Sequence, residues 1–231
     1  YFYSAFRVLT PARSSQLQFA VPTGNFGDIL AGWYAKRMGL PIRRLILATN
    51  ENDILARFFN TGVYATGRVV PTVNPSMDIQ VASNFERWLY YKVGENPAEV
   101  ARLMTTFALQ GSMSIPRDEH GHVDLEIVAG TSDTRRTLAT SKRSHEKHSY
   151  LLDPHTAAVG FVAEQYNELD EPLICLATAH PANFPEAIED ATGEDLAHHP
   201  TLEALKDAPT RCEVIENHAG AVKDFLAARA I

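Results

Sequence analysis

Six residues from Thr23 to Asp28, Thr-Gly-Asn-Phe-Gly-Asp, have the types and spacing to hold an anion. Gly24 and Gly27 bracket two residues directly behind an apolar run and directly ahead of a helix-like pattern. Glycine at such a turn permits positive φ and lets the backbone approach a ligand closely. The first N–H groups of the following helix have no internal partner and lie at the positive end of its dipole. A phosphate can therefore be held there without a cationic side chain. Asp28 can satisfy the same amides itself as a cap, or simply favour the start of the helix. The glycine spacing does not match the dinucleotide fingerprint, and no Walker lysine–hydroxyl pair follows. An ordinary tight βα turn accounts for the two glycines equally well.

Other residues could do chemistry but are each matched by a plainer role. Ser83, Asn84 and Arg87 open a helix-like segment, and Arg87 suits a carboxylate or phosphate as well as it suits a surface ion pair. Asn50, Glu51 and Asn52 follow a strand-like run, the edge at which open α/β sheets meet ligands, although cap and turn duty explains them too. His155 falls in the first turn of a helix and reads as a capping or packing residue rather than a catalytic one. His145 with His148, and His198 with His199, lack a carboxylate or thiol at ligand spacing, so no metal is expected.

The elements that must position these residues are legible from periodicity. Leu17, Phe19 and Val21 alternate with Gln18 and Ala20, predicting a strand that ends at Pro22. Ile29, Leu30, Trp33, Tyr34 and Met38 share a helical face that Gly39 terminates. Arg43 to Thr49 reads as a second strand, followed by a helix through Ile54 to Asn60. This strand–helix–strand–helix order is the signature of βαβ units and a parallel sheet. The segment from about 83 to 150 changes character and reads as a mainly helical insertion, with Asn96 capping and Pro97 opening one helix. Within it, Asp124 to Gly130 predicts a short strand, and the basic stretch Arg135–His148 a solvated helix face or loop. Asp153 and Pro154 open a further helix running to about 169, Pro172 to Thr178 returns to a buried-strand pattern, and another helix follows. The tail from Arg211 predicts a short strand and a closing helix.

Composition bounds the function. The 231 residues carry 21 Lys plus Arg against 28 Asp plus Glu, a formal charge of −7, with no concentrated basic face, which argues against nucleic acid as a partner. No apolar run approaches bilayer length, so no membrane partner is expected. Cys175 and Cys212 make no disulfide framework, which points to a cytoplasmic, reducing setting. The opening Tyr1–Leu9 looks like a helix entered midway, with Tyr1, Ala5 and Val8 on one face. The chain is therefore expected to be the C-terminal part of something longer.

The run VPTGNFGDILAGWYAKRMGLPIRRLILATNENDIL resembles threonine synthase of the microbial and fungal branch, a pyridoxal-phosphate enzyme of fold type II. The blocks PSMDIQVASNFERWLYY, YLLDPHTAAVG and LATAHPANFPEAI are similar to that family as well, and YFYSAF resembles the end of one of its helices. The matching blocks cover roughly residues 1 to 190, and long ungapped matches are far more specific than a short pattern. The resemblance implies an α/β large domain built on an open, mostly parallel sheet flanked by helices. It implies the conversion of O-phospho-L-homoserine and water to L-threonine and phosphate, with pyridoxal 5′-phosphate as electron sink. By the same resemblance Thr23, Gly24, Asn25, Phe26 and Gly27 hold the cofactor phosphate, and Thr178 hydrogen-bonds the pyridine nitrogen. His180, two residues on, would share that threonine's face if the strand continued, and with Arg87 it is a candidate substrate contact.

The family's Schiff-base lysine lies in a block upstream of the phosphate loop. Lys36, Lys92, Lys142, Lys147, Lys206 and Lys223 stand in no such context, so no catalytic residue is identified and the chain alone is expected to be inactive. The full-length protein is expected to be a monomer, with a dimer as the alternative. Two rival readings remain at this point. One is a non-catalytic phosphate or pyridoxal-phosphate binder. The other is a nucleotide-binding module with Glu51 or Asp53 on a ribose, against which the glycine spacing speaks.

Overall fold

The computed structural model describes residues 1–9, 16–167 and 171–229. In chain order the elements are α1 (Phe2–Val8), β1 (Leu17–Pro22), α2 (Gly27–Arg37), β2 (Ile42–Thr49), α3 (Ile54–Thr61), β3 (Val63–Ala65), α4 (Phe85–Lys92) and α5 (Pro97–Gln110). They continue with β4 (Ser112–Ser114), β5 (Ile127–Thr131), α6 (Thr134–His148), α7 (Pro154–Glu164), β6 (Leu173–Cys175), α8 (Pro185–Thr192), α9 (Pro200–Glu203) and α10 (Ala219–Arg229). Short 3-10 turns occupy Pro75–Met77 and Pro181–Asn183. The chain divides into two bodies, Tyr1–His198 and His199–Ile231. The second holds α9 and α10; the strand expected after Arg211 is not formed, and residues 211–216 are exposed and irregular.

The first body is built on a four-stranded sheet in the order β5-β2-β1-β6, with all three pairings parallel. This is the expected open parallel sheet. The alternation in β1 reads as one buried face, yet every residue of β1 is buried. The reason is helices on both faces, as parallel sheets require. Leu17, Phe19, Val21, Leu45 and Leu47 join α2, α3 and the aromatic residues of α4 in one core. Ala20, Ile46 and Ala48 face Val159, Val162 and Ala163 of α7 in the other. Gln18 is buried on the second face because its Oε1 accepts from Arg44 Nε at 2.5 Å. β6 is shorter and only half-buried, as suits its place at the end of the strand order.

The segment from about 83 to 150 holds α4, α5 and α6 and also β4 and β5, and β5 pairs with β2 of the main sheet. β4 pairs antiparallel with β3 in a small second sheet that no periodicity announced, since three residues carry too little pattern. The basic stretch forms α6, whose Thr137, Thr140 and Ser141 are buried. Ser141 Oγ donates to Leu152 O at 2.9 Å, so this polar helix packs through satisfied hydroxyls. In α5, Asn96 Oδ1 accepts from the amides of Ala98 and Glu99, each at 3.1 Å, and Gly111 ends the helix in the left-handed region.

Asp153 caps α7 in the same way, accepting from the His155 amide at 2.9 Å and from the Thr156 amide and hydroxyl. The expected end of this helix at 168–169 lies outside the described residues. Burial acts to raise the Asp153 pKa, but hydrogen bonds from Thr156 and the adjoining His155 outweigh it and hold the carboxyl below its ordinary value. A depressed folded pKa means that the carboxylate stabilises the protein above its unfolded pKa. That contribution is lost as pH falls through the folded value. Denaturant melts between about pH 6 and pH 3 are expected to lose stability with acid, and Asp153→Asn to flatten that slope at a fixed cost of about 1 kcal/mol. An acid limb identical in the variant would remove Asp153 from the account.

Candidate cofactor-phosphate and ring-contact site

The chain leaves β1 and enters β2 on one side, whereas β6 returns on the other side of β1. The carboxyl ends of β1 and β6 therefore flank the point where strand order reverses, the place at which open α/β sheets bind ligands. Thr23 directly follows β1 there. Its amide donates to Ala48 O at 2.9 Å and its hydroxyl to Val21 O at 2.9 Å, which holds it in line with the sheet. Thr178 stands three residues beyond the paired Cys175, as Thr23 stands three beyond its partner Ala20. Both threonines thus emerge at the same edge. The Thr178 hydroxyl is exposed and has no partner among the described residues.

Between Thr23 and α2 the backbone is tightly fixed. A Cβ on Gly24 would stand 2.6 Å from Ser76 O, so the Pro75–Met77 turn lies directly against this residue. Asn25 Oδ1 accepts from the Gly27 amide at 2.9 Å, and Asn25 O accepts from the Asn84 amide at 3.0 Å and Asn84 Nδ2 at 3.1 Å. Phe26 sits at φ +69°, in the left-handed region, with its ring buried against Phe59, Phe85 and Trp88. The amides of Gly24, Asn25, Phe26, Asp28 and Ile29 meet no acceptor among the described residues. Asp28 does not take them as a cap: it lies inside α2, its carbonyl accepts from the Tyr1 hydroxyl at 2.9 Å, and burial raises its pKa.

A second loop supports the first. Asn50 and Asn52, just past β2, and Thr72 all bond Asp78. Asp78 Oδ1 accepts from Asn50 Nδ2 at 2.7 Å, Asn52 Nδ2 at 2.9 Å and Thr72 Oγ1 at 2.7 Å, while Oδ2 accepts from the Thr72 amide at 2.8 Å. Asn74, within that loop, is fully buried, and neither atom of its side-chain amide has a hydrogen-bond partner among the described residues. Asn50 and Asn52 carried a hint as polar residues at a strand's carboxyl end. Ser76 and Asp78 fall in the PSMDIQVASNFERWLYY block that resembles the family, but nothing local ties them, Thr72 or Asn74 to Gly24.

The remaining candidates fall apart spatially. Asn84 reaches the loop, but Arg87 lines a groove of about 510 Å³ with Tyr34, Tyr90, Tyr91 and Met104 that includes none of residues 23–27. His180 lies beyond the end of β6, not in it, and its Nδ1 accepts from the Ala182 amide at 3.1 Å to open the Pro181–Asn183 turn. It still borders a cleft of about 300 Å³ with Asp153, Thr156 and the neighbours of Thr178, Ala177 and Ala179. His155 is buried with its ring 5.1 Å from Phe184. The acids offered for a ribose are engaged: Glu51 Oε1 accepts from the Thr134 amide at 2.8 Å, and Asp53 pairs with Arg57 at 2.7 Å. No three His, Cys, Asp or Glu side chains converge as metal ligands among the described residues, and no helix among them is long and apolar enough to cross a membrane.

Known proteins resemble the chain over nearly its whole length. The family described as threonine synthase, C-terminal, matches residues 156–226. A threonine synthase from Methylobacillus glycogenes is 39% identical over 98% of this chain and 49% of its own length. The Saccharomyces cerevisiae threonine synthase is 41% identical over 83% of this chain and 41% of its own. A crystal structure of PLP-bound threonine synthase from Brucella melitensis superposes with a TM-score of 0.90 at 41% identity, covering 99% of this chain and 49% of that one. A crystal structure of threonine synthase from yeast gives 0.87 at 33% identity, with 98% and 50% covered. The chain spans about half the length of the relatives it matches. A parallel sheet with its glycine turn at the strand-order reversal, superposing throughout on fold type II enzymes, leaves one assignment: the chain belongs to the threonine synthase family.

Proposed function

We propose that the chain supplies the phosphate and ring contacts for pyridoxal 5′-phosphate in a threonine synthase, a carbon–oxygen lyase acting on phosphates. The observation that carries this is the set of five acceptorless amides around Gly24–Ile29 at the strand-order reversal. Neutral amides at a helix start suit a phosphate monoester. Gly24 packs so closely on the Pro75–Met77 turn that a Cβ would meet Ser76 O at 2.6 Å, which holds the loop in place, and the buried Asn74 amide adds donor capacity in the supporting loop. Thr23 to Gly27 would hold the phosphate and Thr178 the pyridine nitrogen. When bound, the cofactor supplies an electron sink for carbanionic chemistry on an amino acid. The Thr178 hydroxyl, being neutral, would leave the ring nitrogen unprotonated and so moderate that sink, where a carboxylate would strengthen it.

The reaction proposed is O-phospho-L-homoserine plus water to L-threonine and phosphate, in the cytoplasm, by a full-length monomer or dimer. Of the two substrate contacts proposed, His180 is better placed than Arg87, since its cleft adjoins Thr178. The lysine that bonds the cofactor aldehyde comes from outside these 231 residues. Lys36, the nearest in sequence to the loop, is held by Arg43 O at 3.2 Å and by Glu126 at 3.7 Å. Lys92 lies 4.0 Å from Asp124.

Mixing the 231-residue chain with pyridoxal phosphate and reducing with borohydride is expected to leave no stoichiometric lysine adduct, and the chain to release no phosphate from O-phospho-L-homoserine. The polypeptide with the family's upstream block joined to it should form a stoichiometric lysine adduct and release phosphate. A full-length protein that binds the cofactor but releases no phosphate would end the lyase reading and leave the binding reading standing.

A further inference from the structure

We propose that Asp78 is a positioning residue for the phosphate loop, acting through Thr72 and the Pro75–Met77 turn. The inference rests on the cofactor reading above and adds to it the group that sets the loop's affinity. None of the hydrogen bonds of Asp78 reaches residues 23–27. It gathers donors from the end of β2 and from Thr72, and so fixes the chain between them. Thr72 Oγ1 donates to Asp78, and in turn accepts from Asn50 Nδ2 at 2.8 Å and from the Asn74 amide at 3.0 Å. Asn52 completes the frame by exchanging bonds of 2.8 Å each with Val70 N and Val70 O. The backbone so fixed carries Ser76 O, which stands 2.6 Å from where a Gly24 Cβ would be. Gly24 can swing neither toward that carbonyl nor, through Thr23 and Ala48, away from the sheet.

The sign of the effect separates this role from plain electrostatics. A carboxylate near an anion site repels the anion, so removing its charge would by Coulomb's law tighten phosphate binding. If Asp78 works by position, Asp78→Asn weakens it instead. The amide nitrogen of the variant faces donors from Asn50, Asn52 or Thr72, and the frame opens. Four donors on one carboxylate also spread its charge, which lets it sit at this edge of the sheet.

The test compares pyridoxine 5′-phosphate with pyridoxine. Neither has an aldehyde, so both report non-covalent contacts alone, and the Kd for pyridoxine divided by the Kd for pyridoxine 5′-phosphate isolates the phosphate. Asp78→Asn and Thr72→Val are each expected to lower that ratio about tenfold, and Thr72→Ser, which keeps the hydroxyl, to stay within about twofold of the parent. Equal weakening of both ligands, or a ratio unchanged in both variants, overturns the proposal. So does a Thr72→Ser protein as impaired as Thr72→Val. A parent ratio near one would instead bring down the phosphate-loop reading itself, and the positioning role with it.

Discussion

Gly24→Ala is expected to lower affinity for pyridoxal phosphate about a hundredfold and to destabilise the fold by about 1–3 kcal/mol. The added Cβ would lie 2.6 Å from Ser76 O and 3.4 Å from the Met77 Cα, and both are backbone atoms. A flexible side chain could step aside; this turn is tied through Thr72 to Asp78 and the end of β2. On the other side Thr23 is bonded to the sheet. The strain therefore falls on the peptides between Gly24 and Gly27, whose amides lose their alignment. Each charge-assisted hydrogen bond contributes about 1.5–3 kcal/mol, so misaligning one or two accounts for the predicted loss. Gly39→Ala is the control: its φ of +100° makes alanine unfavourable, but nothing lies within 4 Å. It should cost about 1 kcal/mol and leave cofactor binding alone. Wild-type affinity in Gly24→Ala would mean that the Ser76 contact does not shape the site.

What the sequence reveals and what it hides divide along physical lines. Caps and stops are local, so Asn96 with Pro97, Asp153 with Pro154 and the glycine at 39 mark their helices without tertiary information. The parallel sheet follows from the order of strand and helix patterns, although Gln18 looks solvent-facing until α7 covers it. The tail beyond Arg211 misleads because an apolar pair such as Val214–Ile215 has strand propensity but no sheet partner. The Gly24–Gly27 turn is visible as an anion-holding possibility, and the family resemblance narrows the anion. The support behind it is invisible: Ser76 and Asn84 lie about fifty to sixty residues from the loop and meet it only in the folded chain, while Asp78 bonds Thr72 behind Ser76. Arg87 illustrates the converse, a residue of suitable chemistry beside Asn84 that the helix turns toward another groove.

Phe26 links the site to the core, and its substitutions should break a familiar order. Its ring is fully buried within the aromatic cluster of Phe58, Phe59, Phe85 and Trp88. Phe26→Ala is therefore expected to cost about 3–5 kcal/mol, a large part of the roughly 5–15 kcal/mol that typically separates folded from unfolded chains. The backbone at Phe26 is left-handed, φ +69°, which costs a residue with a Cβ about 1–2 kcal/mol. Ring burial offsets that strain in the native protein, and alanine keeps the strain while losing the ring. Glycine loses the ring but sheds the strain. Phe26→Gly should thus be more stable than Phe26→Ala by about 1 kcal/mol, reversing the usual order in which glycine trails alanine by about 0.5–1 kcal/mol. Both variants should lose phosphate affinity, because the ring is what holds the Phe26 and Gly27 amides to one arrangement. Equilibrium unfolding of the pair decides the matter: a glycine variant less stable than the alanine one would mean that core burial does not sustain the left-handed turn.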